Sequence, residues 1–143
     1  MLVRAILQQK GEEVITVDEE TTVGEAARKL AKHQIGALVV VEGGEVRGIL
    51  SERDIVRGLA GRGAAILDAP VAGLMTTDVT TCRLDDSVDD LMATMTDRRV
   101  RHLPVLERGE LAGIVSIGDV VKRRVQELQV EAQTLHDYIE TGR

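Results

Sequence analysis

Residues 14–57 can be laid on residues 79–122 at a constant shift of 65 positions without a gap, and about thirteen of the forty-four pairs are identical. The identities include Gly48, Ile49, Ser51, Asp54 and Val56 against Gly113, Ile114, Ser116, Asp119 and Val121. Self-similarity at a fixed period means two copies of one supersecondary unit, so the fold must be a duplicated module.

Each copy carries the same local signals. A short β-type run (residues 14–17, then 79–82) is followed by a polar turn and an amphipathic helix. The apolar positions of the first helix, Val23, Ala26, Ala27 and Leu30, fall at i, i+3, i+4 and i+7, and Val88, Leu91, Met92 and Met95 repeat them. Thr22-x-x-Glu25 and Ser87-x-x-Asp90 stand where capping boxes would start those helices. Next come an apolar run at 37–41, a Gly43-Gly44 turn and a return through residues 46–50, which together read as a hairpin. Its counterpart turns at Arg108-Gly109, and Ser51 and Ser116 each introduce a further helix. The predicted architecture is α+β: two β-α-β-β-α repeats related by pseudo-twofold symmetry.

The flanks complete this layout. Residues 2–10 place Val3, Ile6 and Leu7 at helical spacing and stop at Gly11, predicting a short helix docked on the repeats. The Gly- and Ala-rich stretch from Gly58 to Asp78 reads as a loop, within which residues 71–75 resemble residues 3–7. The resulting division is residues 1–13 lead-in, 14–60 first repeat, 61–78 linker, 79–125 second repeat and 126–143 C-terminal helical extension. Along that extension Val121, Val125, Leu128, Ala132, Leu135 and Ile139 form an a/d seam, which would pack either on its own domain or between subunits.

Composition narrows the function classes. The 143 residues include no Trp, no Phe and one Tyr (Tyr138), so a flat ligand would be gripped by aliphatic side chains. A net charge of −6 argues against nucleic acid. One cysteine, Cys82, excludes an intramolecular disulfide and a thiolate metal cluster. His33, His102 and His136 show no ligand spacing, so no metal site is expected. Neither a signal-peptide core nor an apolar run near twenty residues is present, which reads as a cytoplasmic protein with no membrane partner.

The stretch with chemical content is Gly48-Ile-Leu-Ser51-Glu-Arg-Asp54, repeated as Gly113-Ile-Val-Ser116-Ile-Gly-Asp119. A strand ends at Ser, a helix begins, and an Asp sits in its first turn. Ser-x-x-Asp is also a capping pattern, so each motif has a purely structural reading. Its recurrence in both repeats, and the free amides and dipole of a helix N-terminus, favour a site for anions and hydroxyls.

With Gly-x-x-Ser-x-x-Asp closing each copy, and Arg101-His102-Leu103-Pro104-Val105 in the second, the chain resembles the tandem cystathionine beta-synthase (CBS) domain pair, or Bateman module, of small stand-alone bacterial type. The resemblance covers residues 2–124 and implies regulatory binding of adenosine-containing ligands (AMP, ADP, ATP, NAD, S-adenosylmethionine) in the cleft between repeats. It assigns Asp54 and Asp119 to ribose hydroxyls, and Ser51 and Ser116 to ribose or phosphate. Adenine would lie near Thr16, Ile35, Gly36 and Ala37 in one repeat and near Thr81, Val100, His102 and Pro104 in the other. Phosphate would meet Arg53, Arg101, His102, Lys122 or Arg123.

The copies differ where Glu52-Arg53 becomes Ile117-Gly118, so unequal affinities should follow. The Asp119 site is the one expected to be occupied, because Gly118 gives close approach and Arg101, His102 and Lys122 give charge. No Walker A loop, H-E-x-x-H or G-x-S-x-G is present, so no enzyme and no catalytic cofactor is expected. The leading expectation is a homodimeric adenine-nucleotide sensor acting on an unidentified regulated protein. The alternative is a homodimeric interaction scaffold with vestigial nucleotide sites.

Overall fold

The computed structural model describes residues 1–141; Gly142 and Arg143, the last two positions of the expected C-terminal extension, lie outside the described residues. The chain runs α1 (Val3–Lys10), β1 (Thr16–Val17), α2 (Val23–His33), β2 (Ala37–Glu42), β3 (Glu45–Ser51) and α3 (Glu52–Arg62). Two short 3-10 helices, Gly63–Asp68 and Val71–Gly73, lead to β4 (Cys82–Arg83), α4 (Val88–Arg98), β5 (His102–Glu107), β6 (Glu110–Ser116) and α5 (Ile117–Glu140). Each repeat is therefore β-α-β-β-α. In each three-stranded sheet, β1-β2-β3 or β4-β5-β6, the first pair is parallel and the second antiparallel.

Both hairpins turn through two residues with positive φ: Gly43 (59°) and Gly44 (81°), then Arg108 (54°) and Gly109 (80°). Two such residues in succession suit the right-handed twist of the flanking strands, and this explains why glycine stands second in both turns. The amphipathic helices bury the faces that their periodicity marks. Val23, Ala26 and Leu30 enter one core, and Val88, Leu91 and Met95 the other, while Met92 is an exception and faces outward. Thr22 and Ser87 each cap by accepting the amide of the third helical residue.

The flanking segments are exchanged between the repeats. Val3, Ile6 and Leu7 of α1, although they precede the first repeat, are buried with Leu103, Val105, Val115 and Val120 of the second. The Val3 amide donates to Asp86 O at 2.9 Å. Reciprocally, Ile66 and Val71 of the linker are buried with Leu38, Val40 and Leu50 of the first repeat, and the Val71 amide donates to Thr21 O at 2.8 Å.

The linker is thus core-forming rather than the loop expected from its composition. Gly58 lies inside α3, and a Cβ there would stand 3.0 Å from Leu74 Cδ1, so this glycine serves close packing instead of ending the helix. The opening strands are shorter than residues 14–17 and 79–82, with only two residues of each pairing in register.

The last helix, α5, continues unbroken through the expected boundary at 125/126, over about 36 Å at 1.5 Å per residue. Its seam residues do not pack on their own domain, since Val121, Val125, Leu128, Leu135 and Ile139 are all exposed.

Candidate functional site

Each Gly-x-x-Ser-x-x-Asp segment is fixed by its own backbone. Ser51 Oγ accepts the Asp54 amide at 3.2 Å while Asp54 Oδ2 accepts the Ser51 amide at 2.9 Å. Ser116 and Asp119 repeat this reciprocal capping box at 3.1 and 2.9 Å. The first helical amide is also engaged, Glu52 donating to Gly36 O at 3.0 Å and Ile117 to Arg101 O at 2.8 Å. Strand end, helix start and the residue before the hairpin are therefore locked together in both copies. Of the first three amides of each helix, those of Arg53 and Gly118 are the ones these contacts leave to a ligand.

The capping reading of both aspartates is realised. It does not exhaust them, because a carboxylate offers about four acceptor positions and the cap fills one.

A cleft of about 370 Å³ opens between the repeats, where β3 and β6 meet. Ser51, Arg53, Asp54 and Gly36 reach it from the first repeat. Val100, Arg101, His102, Ser116 and Gly118 reach it from the second. Nine of the sixteen residues expected at the site are thereby brought together. Ile35 lines an adjoining groove with α2 and α3. Thr81 lies in a separate depression near Arg83 and Arg108, and Lys122 is exposed on α5. Thr16 is exposed on β1, whereas Ala37 and Pro104 are buried in β2 and β5. Arg123 is turned toward Met1 and Gln9.

Several lining residues escaped the sequence reading, notably Arg57, Arg99 and Thr76. Thr76 exchanges two backbone hydrogen bonds with Ile49, at 2.9 and 3.0 Å, which lays the linker along β3. The similarity of residues 71–75 to 3–7 was the signal that could have placed it.

The cleft is cationic in an acidic protein. Arg53, Arg57, Arg99 and Arg101 line it, and among the described residues none of these four is held in an ion pair. Against them stand Glu52 and Asp54. Burial pushes the His102 imidazole toward its neutral form, and the Lys10 charge adds to this, while Asp119 and Glu52 partly oppose it. Its Nε2 stands 3.3 Å from where a Cβ on Gly36 would be, so the absence of a side chain at Gly36 leaves room for the ring.

Asp119 is not placed like Asp54. Lys10, at the end of α1, donates to Asp119 Oδ2 at 2.6 Å and to Ile114 O at 3.0 Å. Burial raises the Asp119 carboxyl, but hydrogen bonds from Lys10 and Ser116 outweigh it and hold the group below the usual carboxylate range. The occupied site expected at Asp119 is thus met by a lysine from the chain itself.

Comparison with known proteins bears on both repeats. The CBS domain family model matches residues 3–61 and 71–126. A CBS-domain containing protein from Agrobacterium tumefaciens is 49% identical, with TM-score 0.85 over 87% of this chain and 99% of that one. The CBS domain pair of a protein solved in complex with 5-methylthioadenosine and S-adenosyl-L-methionine is 28% identical (TM-score 0.80; 89% and 98% covered). A CBS domain protein from Pyrobaculum aerophilum complexed with AMP is 27% identical (TM-score 0.77; 92% and 99% covered). The chain spans 62% and 66% of the lengths of two curated relatives that are 38% and 39% identical to it. Sequence and fold agree across both halves: the chain belongs to the CBS domain family, as a tandem pair.

Proposed function

We propose that this protein is a non-catalytic regulatory module that binds a phosphate-bearing adenosine nucleotide, AMP, ADP, ATP or NAD, in the cleft between its repeats. The observation that carries the reading is the Asp54 carboxylate, fixed by its capping box at a cleft lined by four arginines. A carboxylate accepts from two vicinal hydroxyls, and guanidinium groups supply charge-assisted hydrogen bonds to phosphate. Ribose and phosphate are thus served by neighbouring groups, and Gly36 and Val100 offer apolar contact to a base. Solved relatives that hold AMP, or methylthioadenosine and S-adenosylmethionine, support the adenosine class. The arginines favour its phosphorylated members.

Thermal denaturation with AMP, ADP, ATP and NAD tests this. A ligand at a hundred times its dissociation constant stabilises the native state by about 2.7 kcal/mol, which moves the midpoint by several degrees in a domain this size. Asp54→Asn keeps most of the capping ability but removes the charge, and should weaken binding about ten- to a hundredfold. If none of the four nucleotides shifts the transition, the proposal fails and the interaction scaffold takes its place.

A further inference from the structure

The two ribose-type carboxylates are related by the repeat yet have different neighbours. Lead-in residues 3–7 correspond to 71–75: Leu7 Cδ1 would stand 2.8 Å from a Cβ on Gly113, as Met75 Sδ would stand 2.6 Å from one on Gly48. Beyond that point the two segments diverge. The linker leaves its 3-10 helix at Gly73 and lies extended along β3, Thr76 bonding to Ile49 through the backbone. The N-terminal segment instead stays helical to Lys10, and Lys10 Nζ takes the carbonyl of Ile114, the counterpart of Ile49. The extra helical turn carries an ammonium onto Asp119, and no such group reaches Asp54 from Thr76.

Asp119 Oδ2 already accepts the Ser116 amide at 2.9 Å, so the Lys10 contact fills the second acceptor position on that oxygen. Among the described residues, Asp54 Oδ2 accepts a hydrogen bond from the Ser51 amide alone. A vicinal diol that needs both carboxylate oxygens can therefore seat itself on Asp54 at once, but on Asp119 only after Lys10 has moved. The side chains of Lys10 and Asp119 are 32% and 22% exposed, so water screens the contact less than it does a surface pair. Val3, Ile6 and Leu7 root α1 in the core of the second repeat, which confines any release to the last turn of the helix.

We propose that Lys10 is an internal latch on the second nucleotide site, so that the protein as it stands binds one nucleotide per chain, at Asp54, and acquires a second site at Asp119 only when Lys10 is withdrawn. This rests on the nucleotide reading above. Lys10→Met removes the ammonium while keeping the length of the stem, and Lys10→Gln serves as a second variant should the first destabilise α1.

Titration calorimetry with AMP should give one site per chain for the parent protein and two for either Lys10 variant. Asp54→Asn should abolish the parent's site, and the double variant Lys10→Met/Asp54→Asn should recover one site, at Asp119. Two sites in the parent, one site in both parent and Lys10 variants, or loss of the parent's site with Asp119→Asn rather than Asp54→Asn would each overturn the latch and leave the nucleotide reading standing. Absence of AMP binding in every variant would strike the nucleotide reading instead. The latch itself is then read without ligand: by NMR, the Asp119 carboxyl should titrate at higher pH in Lys10→Met than in the parent, and an unchanged titration would overturn it.

Discussion

At the residue scale the site is made of side chains with two obligations. Asp54 and Asp119 must satisfy a helix start before they can serve a ligand, and the reciprocal bonds to Ser51 and Ser116 show that obligation met in both copies. His102 has a different double role, lining the cleft while half-buried beside Lys10. Because its folded-state pKa is lowered, the unfolded chain takes up a proton near pH 6.5 that the folded chain does not. His102 thus contributes stability that is present above pH 6.5 and lost as pH falls through the folded value. Urea midpoints measured from pH 7.5 downward should decline below about 6.5, and His102→Asn should flatten that decline. An equally steep slope in the variant would assign the titration to another group.

At the scale of elements, the close approach of the flanking segments to β3 and β6 depends on Gly48 and Gly113. A Cβ at Gly48 would stand 2.9 Å from Thr76 O as well as against Met75, and a backbone oxygen cannot swing aside as a side chain can. Gly48→Ala should therefore destabilise the protein by about 1–3 kcal/mol, the usual range for overpacking. A denaturation midpoint within error of the parent would refute the tight contact.

The elements legible in the sequence were those specified locally. Hairpin turns at Gly43-Gly44 and Arg108-Gly109, capped starts at Thr22, Ser51, Ser87 and Ser116, and the buried faces of α1 and α2 all follow from residues within a turn or two of one another. What stayed hidden depends on the other repeat. Gly58 reads as a breaker until Leu74 is seen lying against it, and nothing near Lys10 in sequence announces Asp119, which is over a hundred positions away. Nine of the expected residues converge on the cleft, and five of them, Ser51, Arg53, Asp54, Ser116 and Gly118, were marked by the duplicated motif; Arg57, Arg99 and Thr76 were missed because only tertiary packing turns them into the cleft.

For the whole molecule, the outstanding surface feature is the apolar stripe on α5. Leu128 and Ile139 are 56% and 67% exposed, and Val56 on α3 is exposed as well. A seam spaced at heptad intervals along a helix of 24 residues has the pattern that a second copy of the same helix would bury. The expected state is a homodimer. Light scattering at micromolar concentration should report twice the monomer mass, and truncation after Arg124 should weaken the association. A monomer before truncation would rule the dimer out, and a dimer unaffected by truncation would move the interface to other helices.

The exchange of flanking segments also orders events on the ribosome. Everything the first repeat needs, including Ile66 and Val71, has been synthesised before β4 begins, so its core can close while the second repeat is still being made. Helix α1 is made before either repeat and yet cannot dock until most of the second is made, since the surface that buries Val3, Ile6 and Leu7 is finished only when Val115 and Val120 appear. Until then the nascent chain carries an undocked apolar helix ahead of the first repeat, and the core of the second repeat closes only when that helix returns to it.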